Sequence, residues 1–442
     1  MTSPFSTSLR KQLLTLEKQQ LYRRRRVIAT PQGRELQIDG RRLLNFSSND
    51  YLGLANDPRV CEAFKRGVNR WGSGSGASHL VCGHTVAHEE LEQALAAFTG
   101  RERALLFPTG YAANTGTLNA LLTKGDHVYQ DRLNHASLLE GGWLSRAEVH
   151  WFEHCDYAAL AAQLAATGAT AGRQLIASDG TFSMDGGHCD LDVLVSLARA
   201  QDAWLMIDDA HSLGVMGSHG CGRVDPLRYD SQDVPVLMGT LSKALGTSGA
   251  FVAGDSDLIE LLIQKARNYI FSTAMPAAVA VATLESLRIA QAEEWRRDHL
   301  RSLITHFRTE IQHLPNSRTP TQESRTPTDP GPKSVTPMNP PTDPGPKSVT
   351  PMNPSPDSGT PTPFQLLDSW TPIQPLITGN EESALRISRA LESRGFLVTA
   401  IRPPTVPKGA SRLRICLSAA HTHADVDALL TALSDTAGSA HV

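Results

Sequence analysis

The stretch Gly239-Thr-Leu-Ser-Lys243-Ala-Leu-Gly246 sets a lysine in a glycine-bounded turn directly after an apolar run. An amine held there, partly out of water, loses some of its protonation and can form a Schiff base with a carbonyl. A surface lysine in a glycine-rich loop is the alternative reading of the same residues. In WLMIDDAH (204–211), Asp208 and Asp209 follow four consecutive apolar residues. A carboxylate at such a strand end is costly unless it meets a positive partner, and a protonated pyridine nitrogen is one such partner. The pairing would keep the ring cationic and able to accept electron density. A structural salt bridge or a metal ligand would also satisfy the aspartate. No other His or carboxylate cluster has compelling metal spacing, so no metal is expected. Phe107-Pro-Thr-Gly110-Tyr111-Ala-Ala-Asn114 reads as strand, glycine turn and helix start. Free N–H groups at a helix start suit a phosphate, although an ordinary cap uses the same pattern. His135, in DRLNHASLLE, lies just past another strand-like run and alone reads as structural.

These residues need a scaffold, and the text between residues 104 and 254 supplies one. Short apolar runs recur there: ALLF (104–107), HVYQD (127–131), VHWF (149–152), QLIASD (174–179), WLMIDDA (204–210), PVLMGTL (235–241) and GAFVAG (249–254). Continuous apolar strands separated by helical stretches predict a mostly parallel sheet covered on both faces. Thr109, Asp131, Asp179, Asp208 and Thr240 fall at or beyond the C-terminal ends of those strands, the edge where open α/β sheets bind ligands. Upstream, Leu9, Leu13, Leu14, Leu16 and Leu21 predict an amphipathic helix over 9–22, and Asp39-Gly40 a hairpin between 35–38 and 43–46. Downstream, residues 373–376, 397–401 and 413–417 read as strands, 381–394 as a helix, and a closing helix starts at Asp425.

Residues 327–340, PTDPGPKSVTPMNP, recur unchanged as 341–354. The segment 316–363 around them is rich in Pro, Thr and Ser and poor in large apolar residues, so a disordered insertion is expected. With 442 residues the chain has length for two lobes, and a formal charge of −3 gives no reason to expect nucleic acid or an anionic membrane surface as partner. The Arg23–Arg26 run is short enough for a solvated helix end or an anion site inside an enzyme. No stretch has a signal peptide's apolar core or a membrane span's length, and the six cysteines are scattered. A reduced, cytoplasmic protein is the expectation.

Phosphate turn, histidine, strand-end aspartate and lysine follow the order found in the α-oxoamine synthases, a fold-type I pyridoxal-phosphate family. The chain resembles that family from about residue 9 to 433, through NFSSNDYLGL (45–54), DRLNHASLLE (131–140), FSMDGG (182–187), WLMIDDAH (204–211), GTLSKALGTSGAF (239–251) and AIRPPTVP (400–407). Only the repeat insertion departs from the family pattern. The resemblance implies an α/β fold-type I transferase with a seven-stranded, mostly parallel sheet. Its large domain would span 51–285, after an N-terminal helix and arm over 1–50. A smaller α+β domain would span 286–442, interrupted by the insertion.

For the site, the resemblance implies pyridoxal 5'-phosphate on Lys243, Asp208 against the ring nitrogen, and His211 and Ser183 at the phenolic oxygen. His135 would stack on the ring, while the Gly110 and Tyr111 amides and the Thr240 hydroxyl would hold the phosphate. The Ser272-Thr273 pair would reach the partner's phosphate across a homodimer. Arg402 would pair with the amino acid carboxylate, beside Thr405, and Arg23 (or its neighbour Arg24) would bind substrate. The AIRPPTVP stretch and the arginine-rich entry resemble the branch that condenses L-alanine with a pimeloyl thioester in biotin synthesis. A sister enzyme using glycine, such as glycine C-acetyltransferase or 5-aminolevulinate synthase, would use the same cofactor residues. A non-catalytic relative would be expected to lack the lysine. The choice of CoA or carrier protein on the acyl donor stays open.

Overall fold

The computed structural model describes residues 3–168, 172–313, 317–318 and 364–438. All seven apolar runs of the central region are strands of one sheet. In chain order they are β1 (Arg103–Phe107), β2 (His127–Asp131), β3 (Glu148–Phe152), β4 (Gln174–Asp179), β5 (Trp204–Asp208), β6 (Val236–Thr240) and β7 (Ala250–Gly254). They lie side by side as β1-β7-β6-β5-β4-β2-β3. Pairing is parallel from β3 through to β6, and β7 alone runs against its neighbours β6 and β1. Strands β4, β6 and β7 are buried along their whole length, which is why they read as unbroken apolar runs rather than alternating ones.

Helices cover both faces. Helix Gly110–Leu121 packs on one side in an apolar cluster with Val128, Leu175, Met206 and Val252. Leu164, Leu194, Ile176, Leu205 and Leu237 form a cluster on the other. Truncating one of these fully buried leucines to alanine would cost about 2–5 kcal/mol. Helix Pro58–Trp71 crosses Ala277–Ala292 so closely that a Cβ on Gly67 would lie 2.7 Å from Ala278 Cα. Only glycine permits that approach.

The chain's two ends build a second lobe. The hairpin Glu35–Ile38/Arg41–Asn45 forms at Asp39-Gly40, and Phe396–Leu397 joins it in parallel. A five-stranded sheet is ordered Ser317–Arg318, Phe364–Leu366, Ile373–Gly379, Ser411–Cys416, Thr399–Ile401. Stretch 397–401 therefore divides between two sheets instead of forming one strand. The N-terminal helix spans Pro4–Lys18, capped by Ser3 and followed by Gln20 at a positive φ of 57°. It buries none of its residues, and Leu9, Leu13 and Leu14 remain nearly half exposed. Periodicity shows that a helix has an apolar face but not what covers it.

Apart from Ser317–Arg318, the repeat insertion lies outside the described residues. Its flanks meet, since Ser317 pairs with Phe364 in a parallel ladder. Deleting 327–354 would leave 319–326 and 355–363 to make that connection, longer than the dozen residues a parallel crossover needs. Such a deletion is expected to keep cofactor absorbance and turnover near wild type, measured on the purified variant. Loss of cofactor absorbance would refute it.

Candidate active site

Along the C-terminal edge of the large sheet, neighbouring strands end in carboxylates, with Asp179 directly beside Asp208 across the β4–β5 ladder. Both are buried. Asp208 accepts hydrogen bonds from Asn114 Nδ2 at 2.7 Å and from the Ala210 N–H at 3.0 Å. It makes no ion pair among the described residues. Asp179 has its carboxyl pushed well above the ordinary range, first by burial and then by the Asp208 charge. One oxygen of Asp179 accepts the His135 N–H at 2.7 Å, and Asn134 Oδ1 accepts the Asp179 N–H at 3.0 Å. The pair thus divides its work: Asp208 faces the site as a charge, while Asp179 fixes the loop that carries His135.

His135 caps helix Ala136–Ser145, and its Nδ1 lies 2.7 Å from Ser137 Oγ. Asn114 Nδ2 also donates to Ser137 Oγ at 2.9 Å, so one amide ties the Asp208 carboxylate to the His135 ring. Burial, partly opposed by Asp208, lowers the His135 pKa, and the Lys243 charge adds to the fall. His211 is lowered further, by burial first and then by Lys243 and Arg414. Its Nδ1 sits 2.7 Å from the Tyr51 hydroxyl, leaving Nε2 as the nitrogen available to a ligand. Arg414 draws these parts together. It donates to the Ser183 carbonyl at 2.6 Å, to Asn49 Oδ1 at 3.0 Å and to the Tyr51 hydroxyl at 3.4 Å. Ser183 is itself buried.

Lys243 stands in the turn after β6, three residues beyond Thr240. Burial lowers its pKa to about 8, with Asp208 and Asp179 opposing the fall and Arg414 adding to it. Thr240 is buried and its hydroxyl donates to the Gly249 carbonyl at 3.1 Å, with Ser242 Oγ 3.0 Å away. At the start of helix Gly110–Leu121, Thr109 Oγ1 accepts the Ala112 N–H at 3.0 Å. The Gly110 and Tyr111 N–H groups precede that cap, at the helix's open positive end. These residues fit pyridoxal phosphate. A buried aspartate without an ion pair suits a cationic ring nitrogen, an open helix start suits the phosphate, and a buried lysine that gives up its proton more readily than a free one suits the aldehyde.

Arg23, Arg402 and Thr405 line a different space, an open cleft of about 1360 Å³ that also includes Arg24, Arg386 and Arg389. Arg402 has its pKa lowered by burial and then by the charges of Arg23 and Arg389. Its guanidinium donates to the Gln20 carbonyl. Arg26 is engaged by Glu392, and Arg24 lies over the Tyr22 ring. Thr273 forms an isolated antiparallel bridge with Ser78. Asn114, Tyr51, Asp179 and Arg414 are the site members to which residue-by-residue reading gave no role. Asp179 was visible as a strand-end acid. Nothing in the LRICLS stretch marks Arg414 as reaching Ser183 from the second lobe.

The profile of the class I and II aminotransferases matches residues 41–328 and 359–433. The 8-amino-7-oxononanoate synthase of Nitrosococcus oceani is 50% identical over 415 residues, covering 94% of this chain and 97% of that protein. The enzyme of the same name from Pseudomonas putida is 49% identical over 415 residues, covering 94% and 93%. Among solved structures, the serine palmitoyltransferase of Sphingomonas wittichii superposes with a TM-score of 0.82 at 25% identity, covering 99% of this chain and 98% of that one. The gap in the profile match, residues 329–358, covers nearly all of the repeat segment, and outside it the agreement runs through both lobes. The chain therefore belongs to the class I and II aminotransferase family and, within it, to the 8-amino-7-oxononanoate synthases.

Proposed function

We infer that the chain condenses L-alanine with a pimeloyl thioester, releasing carbon dioxide and the free thiol and giving 8-amino-7-oxononanoate for biotin synthesis. Near-full-length identity of about half to synthases of that name carries this reading. Pyridoxal phosphate is the cofactor, and when bound it supplies an electron sink for the negative charge that develops at the amino acid's α-carbon.

The chain's own residues supply position, charge and proton traffic. Lys243 would anchor the cofactor through Nζ, and the same nitrogen would take the α-proton of the amino acid. Asp208 holds a proton on the ring nitrogen, and Asn114 keeps that carboxylate aimed. His211 and Ser183 serve the phenolic oxygen. His135, lowered in pKa and therefore neutral near pH 7, offers an uncharged face to the ring. The Gly110 and Tyr111 amides serve the phosphate. Thr240 reaches it only by giving up the Gly249 carbonyl.

Both substrates carry a carboxylate, and the guanidinium-lined cleft offers several cations to receive them. Arg402 takes the amino acid carboxylate, with Thr405 beside it, and Arg23 takes the second anion. The charge of Arg23 acts on Arg402, which favours it over Arg24. Arg402→Ala is expected to raise KM for L-alanine about 10–100-fold with a smaller change in kcat, as befits one charge-assisted contact of about 1.5–3 kcal/mol. Steady-state kinetics at saturating thioester measures it. We also assign the enzyme to a homodimer in the cytoplasm, a compartment consistent with six unpaired cysteines.

The test is thiol release by the holoenzyme with two substrate pairs, L-alanine with pimeloyl-CoA and glycine with acetyl-CoA. Preference for the first, lost in Lys243→Ala, is the expected result. Preference for the second would overturn the substrate assignment and leave the cofactor residues standing. Release with a pimeloyl carrier protein alone would identify the donor.

A further inference from the structure

Strands β2 and β3 form one edge of the large sheet, with His127 opposite Glu148 and Tyr129 opposite His150. Side chains alternate along a strand, so His127, Glu148 and His150 share one face. His127 and Glu148 begin their strands, whereas Asp131, Asp179 and Asp208 end theirs. The trio therefore occupies the rim far from Lys243, outside everything the condensation uses.

His127 Nδ1 and His150 Nε2 share a hydrogen bond of 3.0 Å, so one of them carries a proton that a metal ion would displace. The Glu148 carboxylate oxygens lie 3.7 Å from the first nitrogen and 3.8 Å from the second. Those two separations are too long for hydrogen bonds. In a tetrahedral zinc site with bonds of about 2.0–2.2 Å, ligand atoms stand about 3.3–3.6 Å apart. The three observed separations straddle that value, and the exposed Glu148 leaves the fourth position to water.

The ligands are also held in place. His150 stacks on Tyr129 with centroids 4.7 Å apart and planes at 16°. The Tyr129 hydroxyl is fixed by Thr167 Oγ1 at 2.7 Å and Gln174 Oε1 at 2.8 Å. The His127 N–H donates to the Arg173 carbonyl and the Glu148 N–H to the Asp126 carbonyl, both at 2.8 Å. The cluster His79, His84 and His88 differs. There His88 commits Nε2 to the Met275 carbonyl and Nδ1 to the Thr85 N–H, so it has no free lone pair to offer.

We propose that His127, Glu148 and His150 form a zinc site that fastens the edge strand β3 to β2. Two imidazoles and one carboxylate select a borderline ion such as Zn²⁺ over the oxygen-seeking Mg²⁺ and Ca²⁺. Chelator-stripped holoenzyme titrated with ZnCl₂ by calorimetry tests it, with Glu148→Gln and the double variant Glu148→Gln/His150→Gln alongside. Both variants are first shown to keep cofactor absorbance, and the exposed position of Glu148 makes the single variant the safer fold. Wild type is expected to bind one equivalent more than the double variant, at least tenfold tighter than the single variant binds it. Zinc should raise the unfolding temperature of wild type and leave that of the double variant unchanged. Co²⁺ should give four-coordinate d–d absorption, at wavelengths beyond the cofactor's, in wild type alone. Equal zinc stoichiometry and equal thermal shifts in wild type and double variant would overturn the site.

Discussion

Lys243→Ala is expected to abolish covalent cofactor attachment and to lower turnover by at least about 10²–10⁴-fold, the range for losing a positioned base. The effect is large because, among the described residues, the neighbouring strand ends carry carboxylates and histidines and no second amine. Loss of the protein-bound cofactor absorbance with the fold intact is the direct readout. Retained turnover with that absorbance gone would mean that another group takes the α-proton. A pH dependence accompanies the prediction. The Lys243 amine has a pKa of about 8, held below the usual lysine value by burial. Capture of added cofactor by apoenzyme requires the free base, so its rate should rise about tenfold per pH unit below that value and level off above it. The same shift bears on stability. The unfolded chain binds the proton more tightly than the folded one, so the lysine destabilises apoenzyme most fully below pH 8. That cost fades as pH rises toward the value of a free lysine. Apo Lys243→Ala should therefore unfold at a higher temperature than apo wild type at neutral pH, and the difference should shrink in alkali.

Asp208→Asn is expected to lower turnover about 10²–10³-fold and to weaken cofactor retention. The substitution keeps the size of the side chain and removes the charge proposed to hold the ring nitrogen protonated. It also places an amide against Asn114 Nδ2, a donor that now requires the new side chain's oxygen. Asn114→Ala separates the two effects. It leaves the Asp208 charge but removes the donor that ties it to Ser137 and His135, so its loss should be nearer tenfold, as for one buried hydrogen bond. Single-turnover loss of the α-proton, followed as hydrogen exchange from L-alanine, resolves the chemical step. Equal losses in the two variants would show that aim, and not charge, is what Asp208 contributes.

Much of this site is local in origin. A strand that ends in a carboxylate, a lysine in a glycine turn after a strand, and a glycine turn that starts a helix are each a few residues of contiguous chain. Their chemistry follows from that local context, so Lys243, Asp208 and the Gly110 turn were legible as text. The seven strands were legible for a related reason. A strand buried on both faces needs a largely apolar run, as in β6 and β7, and each run is bounded by polar residues.

Other features depend on which strands become neighbours, and no short stretch encodes that. Asp179 meets Asp208 only because β4 lies beside β5. Arg414 reaches Ser183 and Tyr51 because the second lobe docks on the first, across more than two hundred residues of chain. Arg23 meets Arg402 because the chain's two ends share that lobe. The N-terminal helix shows the converse: its apolar period was plain, yet none of its residues is buried. Sequence determined the chemical types and the strands that carry them. Tertiary structure decided which groups share a dielectric and a hydrogen-bond network, because burial and charge coupling act through space and not along the chain.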